Sequence, residues 1–226
     1  MKKLNIYHGS SIIIEKPLFG YGKKYNDYGQ GFYLTENLEI AKEWACTEST
    51  SGYANHYEIN TDGLKVLNLL LDEYTILNWL AILMDNRKVR LSTPIAKRGR
   101  DYLLNNFLPD YKGYDVIIGY RADDSYFSFA RSFVSNEISL KQLAYVMKLG
   151  KLKEQFVLKS EKAFKAIKFI DYEVANKEIY YAKRKARDHE ARKGFYRELE
   201  NEDINGIFMR DIIREEMKND DERLSV

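Results

Sequence analysis

Tyr7-His8-Gly9-Ser10 and Tyr28-Gly29-Gln30-Gly31-Phe32-Tyr33-Leu34-Thr35 are the two segments that decide how the rest of the chain is interpreted. Residues 4–8 alternate in polarity and predict a strand that ends at the His8-Gly9 step. A glycine after a histidine leaves an imidazole next to an unshielded backbone N–H and C=O, which can grip a flat carboxamide through paired hydrogen bonds. The ring of Tyr33 offers a face on which the same flat group can stack. Together the two segments predict a nicotinamide pocket.

These motifs resemble the ADP-ribosyltransferase superfamily. Tyr-His-Gly-Ser, followed by Tyr-Gly-x-Gly-Phe-Tyr-Leu-Thr and a helix, is similar to its His-Tyr-Glu branch, which includes the poly-ADP-ribose polymerases and diphtheria toxin. Within that branch the chain looks closest to a bacterial family of unknown function whose members are often encoded beside a small partner protein, as toxins and antitoxins are. The resemblance covers roughly residues 4 to 170 and implies a split β-sandwich that takes NAD as a co-substrate.

The resemblance also implies a role for each motif residue. His8 is expected to hydrogen-bond a ribose hydroxyl of NAD. The backbone of Gly9, with the adjoining Ser10, is expected to hold the nicotinamide amide, and Tyr33 is expected to stack on the nicotinamide ring. Trp44 matches the position of a second stacking aromatic in the polymerases, although packing against its own helix is an equally open alternative.

The third element of the superfamily is an acidic residue that opens a late strand and stabilises the positive charge that develops as nicotinamide leaves. The matching strand covers residues 155–158, which places Gln155 at that position. A neutral amide stabilises an oxocarbenium-like transition state less than a carboxylate does. Glu154 is adjacent, but it points to the opposite face of the strand. Catalysis is therefore left open between slow transfer of a single ADP-ribose, use of another acid, and NAD binding alone.

Arg121, Asp123 and Asp124 follow the clearest buried strand of the sequence, predicted over residues 115–120. They are candidates for the missing charge, or for contacts with pyrophosphate or the acceptor. A structural interpretation is equally open, in which an aspartate caps the next helix and Arg121 forms a salt bridge.

The composition favours no general affinity for nucleic acid or membranes. The 226 residues include 36 Lys and Arg and 34 Asp and Glu, which gives a formal net charge of +2. The single cysteine, Cys46, excludes an intramolecular disulfide, and the three histidines lack metal-ligand spacing. No run reaches the roughly 20 apolar residues of a membrane span, and the first residues are too polar for a signal peptide. We expect a cytoplasmic protein without a metal.

The order of predicted elements indicates an α+β fold with helices inserted between strands. Strands are expected at residues 4–8, 32–35, 53–59, 65–71, 115–120, 154–159 and 168–174. Long charged residues dominate after Asn176, so we predict a domain over residues 1–176 and a charged helical extension over residues 177–226. The basic helix expected at 177–197 carries interleaved tyrosines and could contact nucleic acid or, at least as well, a partner protein.

The leading hypothesis is an NAD-dependent mono-ADP-ribosyltransferase that modifies a macromolecule, either protein or nucleic acid, and acts as a toxin opposed by a small antitoxin protein. Poly-ADP-ribose synthesis is disfavoured, because elongation in the related polymerases relies on the glutamate that Gln155 replaces. The alternatives are an inactive module of the same fold that binds protein or RNA, and a plain NAD glycohydrolase. Intact His8, Gly9 and Tyr33 favour NAD chemistry, whereas Gln155 favours binding only.

Overall fold

The computed structural model describes residues 3–122, 124–149 and 154–225. Over these residues the strands are, in chain order, β1 (Lys3–Ser10), β2 (Phe32–Leu34), β3 (Gly52–Asn60), β4 (Val66–Asn68), β5 (Val116–Gly119), β6 (Gln155–Leu158) and β7 (Ile167–Ala175). The helices are α1 (Leu38–Ala45), α2 (Ile76–Asn86), α3 (Pro94–Asn106), α4 (Asp124–Val134), α5 (Leu140–Val146), α6 (Glu161–Lys165), α7 (Lys177–Glu200) and α8 (Met209–Arg214), with a short 3-10 helix at Glu222–Leu224. This mixture confirms the predicted α+β class.

The strands form two sheets joined by a backbone bridge. One sheet is antiparallel and has the order β1-β3-β7; the other has the order β2-β6-β5-β4, with β4 and β5 parallel. The backbones of Tyr7 and Thr35 exchange two hydrogen bonds, of 2.7 and 3.0 Å, which join β1 to the end of β2. The bridge therefore brings the two sequence motifs side by side, although a long loop separates them along the chain.

Both faces of the second sheet are buried, and successive side chains along its strands enter two different cores. Phe32, Val116 and Phe156 face the first sheet and form a small core with apolar side chains of β1 and β3. Ile117 and Val157 point the other way, into the main core that α2, α3, α4, α5, α7 and α8 complete. This double burial explains why β5 and β6 are short apolar runs, in which Gln155 is the polar exception.

Capping side chains set the helix starts. Thr93 accepts the N–H of the first turn of α3, with Pro94 at the first helical position, and Ser139 caps α5. The strand predicted over 65–71 is shorter, at Val66–Asn68, because Asn68 Oδ1 accepts the N–H of Leu70 (3.1 Å) and turns the chain.

The chain after Asn176 packs against the rest of the protein. Asn176, where the sequence predicts a boundary, caps α7. α7 contacts α1, α4 and α5, and its Ala191 and Phe195 lie in the main core. α8 contacts α3 and adds Met209 to the same core. The predicted extension therefore shares its hydrophobic core with the predicted domain.

The close approach of α1 to β1 depends on a glycine. A Cβ on Gly9 would overlap the carbonyl oxygen of Ala41 and lie 2.7 Å from the backbone nitrogen of Ala45. The backbone of α1 thus occupies the space that a side chain at this position would need. Gly9 therefore has a packing role in addition to the predicted binding of a carboxamide by its backbone.

Gly9→Ala should lower the free energy of unfolding by about 1–3 kcal/mol, because the added methyl group must push α1 away from β1. Gly113→Ala is the matched control: nothing lies within 4 Å of the Cβ it would add, and the variant should be neutral or slightly stabilising. Urea denaturation followed by circular dichroism measures both. Equal stabilities would contradict the tight contact between α1 and β1.

Candidate functional site

The two sequence motifs meet at a cleft of about 410 Å³. His8 reaches it from β1, Tyr33 from β2 and Gln155 from β6, so residues from three strands converge there. The volume lies in the range of small-molecule sites. The lining also includes Phe32 of β2 and, from the loops and helices around these strands, Trp44, Asp27, Arg87, Arg121 and Arg184.

The imidazole of His8 is held in its neutral form. Nδ1 lies 2.7 Å from the carbonyl oxygen of Tyr33, which only accepts hydrogen bonds, so Nδ1 carries the proton. Burial lowers the pKa of His8; the bond to Tyr33 opposes this shift and the nearby positive charge of Arg121 adds to it. Nε2 is therefore an unprotonated acceptor at pH 7, and none of the described residues donates to it. The ring also lies against Phe32, with 4.4 Å between centroids.

Gly9 and Ser10 adjoin the cleft without lining it. Backbone polar groups alternate along a strand, so the N–H and C=O of Gly9 face the same side as those of Tyr7, away from β3. No residue of the described ranges hydrogen-bonds to these two groups, so both could pair with a carboxamide, as predicted. Ser10 has a different role: its Oγ accepts the N–H of Ile12 (3.2 Å) and turns the chain into the next loop.

Tyr33 is fixed through its hydroxyl group. Its Oη donates to the carbonyl oxygen of Gly29 (2.6 Å) and accepts the N–H of Tyr28 (3.1 Å). Burial raises the pKa of Tyr33, so the hydroxyl stays protonated. The ring is half-buried and forms one wall of the cleft. Its orientation is thus set before any ligand binds.

The Gly29-Gln30-Gly31 turn owes its glycines to close packing. Gly29 has a positive φ of 75°, and a Cβ there would overlap Oδ1 of Asn86. A Cβ on Gly31 would lie 2.7 Å from a methyl group of Val157 and 2.8 Å from the carbonyl oxygen of Leu158. The turn is pressed against β6, which brings Tyr33 and Gln155 to the same cleft.

Asp27 is a buried carboxylate that the sequence motifs do not identify. It is 5% exposed and lies at the end of the loop over residues 11–28. Its Oδ1 accepts Nε of Arg87 (2.8 Å) and lies 2.7 Å from Nη2 of the same guanidinium. Its Oδ2 accepts the backbone N–H of Ala122 (2.8 Å) and Nε2 of Gln155 (3.0 Å). Aspartate is common in turn-rich loops, so no local signal distinguishes this residue in the sequence.

The side-chain amide of Gln155 has a determined orientation. Nε2 donates to Asp27 and to the carbonyl oxygen of Tyr120 (3.0 Å each), and both of these groups only accept. Oε1 receives no hydrogen bond from the described residues, and Gln155 lines the cleft. A hydroxyl group in the cleft can therefore donate to Oε1 as it would to a carboxylate. The bond to ionised Asp27 polarises the amide and adds negative charge to Oε1.

Trp44 contacts two guanidinium groups. Arg121 lies 5.0 Å and Arg184 lies 4.3 Å from its ring centroid, and all three residues line the cleft. Arg184 belongs to α7, so the C-terminal part of the chain reaches the cleft. The arginines occupy positions around the ring that a stacked ligand would need. They place two positive charges where a pyrophosphate group can bind.

Two of the predicted site residues cannot be placed. Asp123 lies outside the described residues, and so does the side chain of Asp124, whose backbone begins α4.

Among the residues that are described, no group of three or more His, Cys, Asp or Glu could hold a metal ion. No described helix combines the length and the apolar character that crossing a membrane requires.

A family model described as a protein of unknown function (DUF3990) matches residues 4–169. The chain belongs to this family. The match includes Asp27, Arg87 and the three strand residues of the cleft, whereas Arg184 lies beyond it. No curated protein and no solved structure matches the chain. The family description assigns no activity, so the roles implied by the resemblance to ADP-ribosyltransferases stay predictions.

Arg87→Met should lower the free energy of unfolding by about 3 kcal/mol, because it leaves the buried carboxylate of Asp27 without its counter-charge. Arg98→Met is the matched control, since Arg98 is exposed, and it should change stability by no more than about 0.5 kcal/mol. Adding Asp27→Asn to Arg87→Met should recover part of the loss. Chemical denaturation measures all three variants, and a cost at Arg87 no larger than at Arg98 would exclude the buried pair.

Lys159 anchors the turn that carries the glycines. Its Nζ donates to the carbonyl oxygens of Tyr28 and Gln30, the latter at 2.7 Å, and burial lowers the pKa of Lys159 to about 8. A neutral amine has two N–H donors, which suffice for both carbonyls. The folded protein therefore releases this proton at a lower pH than the unfolded chain, whose lysines titrate near about 10.4.

Between about pH 8 and about pH 10.4 the unfolded chain binds more protons at Lys159, so stability rises with pH in this window. Relative to Lys159→Met, the free energy of unfolding of the wild type should increase by about 1 kcal/mol from pH 7.5 to pH 9.5, a figure reduced for the partial exposure of the side chain. Urea denaturation at both pH values measures this difference. All other titrating groups are the same in the two proteins, so their contributions cancel. A difference that does not change with pH would contradict the lowered pKa.

Proposed function

We propose that the chain is an NAD-dependent mono-ADP-ribosyltransferase with the split β-sandwich of that superfamily, and that it modifies a macromolecule. One observation carries the proposal: His8, Tyr33 and Gln155 meet in one cleft, and each keeps a group available to a ligand after its own contacts are satisfied. These groups are Nε2, a ring face and Oε1. A toxin role, an antitoxin partner and a cytoplasmic location rest on sequence resemblance and composition alone.

The proposed binding mode follows from these free groups. The nicotinamide ring stacks on Tyr33, and its carboxamide bonds the free N–H and C=O of Gly9. One hydroxyl of the adjacent ribose donates to Nε2 of His8, and another donates to Oε1 of Gln155. The pyrophosphate lies near the guanidinium groups beside Trp44.

The proposed reaction breaks the bond between ribose C1 and the nicotinamide nitrogen, and the bonding electron pair leaves with nicotinamide. Positive charge builds on the ribose, where Oε1 of Gln155, polarised by Asp27, provides electrostatic stabilisation. A nucleophilic oxygen or nitrogen of the acceptor then bonds to C1 and loses its proton to water. Because position 155 lacks a full charge, we expect slow transfer of a single ADP-ribose.

A module that holds NAD without chemistry is the second candidate. It is favoured by the pairing of Asp27 with Arg87, which neutralises much of the one carboxylate charge among the described lining residues. The two candidates share the binding mode and differ in the release of nicotinamide.

Tyr33→Leu should weaken NAD binding and slow nicotinamide release by about tenfold or more, because the aromatic face is lost. Tyr33→Phe keeps that face and should bind NAD within a few-fold of the wild type. Tyr145→Leu is the control, since Tyr145 is 52% exposed and does not line the cleft. Calorimetry measures NAD binding, and chromatography measures free nicotinamide.

Labelled NAD decides among the outcomes. Transfer of the adenylate phosphate label to a macromolecule in a cell lysate supports the transferase. Nicotinamide release without transfer indicates hydrolysis, and NAD binding without release indicates the binding module. NAD binding that is absent, or equal in wild type and Tyr33→Leu, would contradict the site.

A further inference from the structure

One segment concentrates positive charge. Between Asp85 and Asp101 the sequence has no acidic residue, although the whole chain has a net charge of only +2. The segment carries six basic residues: Arg87, Lys88, Arg90, Lys97, Arg98 and Arg100. The near-neutral total composition conceals this cluster.

The basic segment lines an open groove of about 790 Å³. It comprises the connection from α2 to α3 and the first turns of α3. Lys88, Arg90 and Lys97 are exposed there, and no described residue forms a salt bridge with any of them. Two acidic residues also line the groove: Asp85 accepts the hydroxyl of Tyr111 (2.6 Å), and Asp101 pairs with Arg100 (3.5 Å). The groove therefore presents a positive surface to solvent.

The basic helix α7, by contrast, uses much of its charge within the protein. Lys183 pairs with Glu39 (2.8 Å), and Arg187 pairs with Glu43. Arg184 lies over the Trp44 ring in the cleft. Among the described residues, the groove is thus a better candidate than α7 for a polyanionic partner.

The basic groove adjoins the cleft and carries an aromatic residue. Arg87 lines both the groove and the cleft. Tyr25, 56% exposed, lines the groove, and Nζ of Lys88 lies 4.1 Å from its ring centroid. Cations that contact phosphates and an exposed ring that stacks on a base are the combination by which proteins bind single-stranded nucleic acid. An acidic protein would use the charges but not the ring.

We propose that the basic groove binds single-stranded nucleic acid and presents it as the acceptor to the adjoining cleft. The binding step stands on the groove alone, whereas the acceptor role rests on the proposed function. In that role a base nitrogen or sugar hydroxyl bonds to ribose C1 as the bond from C1 to nicotinamide breaks, and its proton passes to water. Arg87 connects the two surfaces.

Two triple variants test the binding step, each of which removes three positive charges. The groove variant is Lys88→Gln/Arg90→Gln/Lys97→Gln, and the control changes exposed residues of α7, Lys185→Gln/Lys193→Gln/Arg197→Gln. Fluorescence anisotropy without NAD measures the binding of 20-nucleotide single-stranded RNA and DNA at several salt concentrations. The groove variant should bind at least about tenfold more weakly and reduce the slope of log K against log salt by about 2. The control should stay within about twofold of the wild type.

Tyr25→Ala separates stacking from charge. It should weaken oligonucleotide binding about tenfold, because a base loses its aromatic platform, and leave binding of inorganic polyphosphate unchanged. A preference for RNA or for DNA supports the proposal and selects the strand for a transfer assay with labelled NAD. Equal losses in the two triple variants, no strand binding at low salt, or equal binding of duplex overturns it. Binding of a polyglutamate peptide instead of the strands would assign the groove to an acidic protein and also overturn it.

Nicotinamide release, measured without nucleic acid, tests the proposed NAD chemistry independently of strand binding by the groove. Release should be the same in the groove variant and the wild type, because the substituted residues lie outside the cleft. Strand binding without any nicotinamide release would support the groove as a nucleic-acid site and overturn its acceptor role together with the proposed function. Release without strand binding would overturn the groove and leave the proposed function standing.

Discussion

The buried carboxylate of Asp27 is the interaction on which the geometry of the cleft depends. Through Arg87, the N–H of Ala122 and Gln155 it joins the loop before β2, the end of α2, the segment after β5 and the start of β6. A carboxylate without partners would cost several kcal/mol in such a buried position, so the contacts of Asp27 hold these segments together. The same bond turns the Gln155 amide so that its oxygen is left for the cleft.

Packing and chemistry share the same residues in this fold. The glycines of both motifs allow α1 to approach β1 and the Gly29-Gln30-Gly31 turn to approach β6. These approaches set the positions of His8 and Tyr33. The carbonyl oxygen of Tyr33 then selects the imidazole tautomer, and the hydroxyl of Tyr33 locks its own ring against the turn. The cleft is therefore preorganised by contacts that also stabilise the fold.

Local sequence patterns predicted the α+β class and several strands, because alternation of polar and apolar residues is a property of neighbouring residues. The motifs selected His8 and Tyr33, the resemblance to ADP-ribosyltransferases added Gln155, and the structure brings all three together. They missed Asp27 and Arg87, whose importance comes from a contact between residues 60 positions apart. The surroundings of Trp44 could not be predicted for the same reason, since Arg121 follows β5 and Arg184 belongs to α7. Contacts between residues far apart in the sequence produce no periodic pattern in the local sequence, so such patterns cannot predict them.

A crystal structure of the protein with NAD tests most directly whether the cleft is a nicotinamide site. We expect the nicotinamide ring to stack on Tyr33, with ribose hydroxyls about 3 Å from Nε2 of His8 and from Oε1 of Gln155. NAD bound elsewhere, or a nicotinamide ring without contact to Tyr33, would contradict the assignment of the cleft.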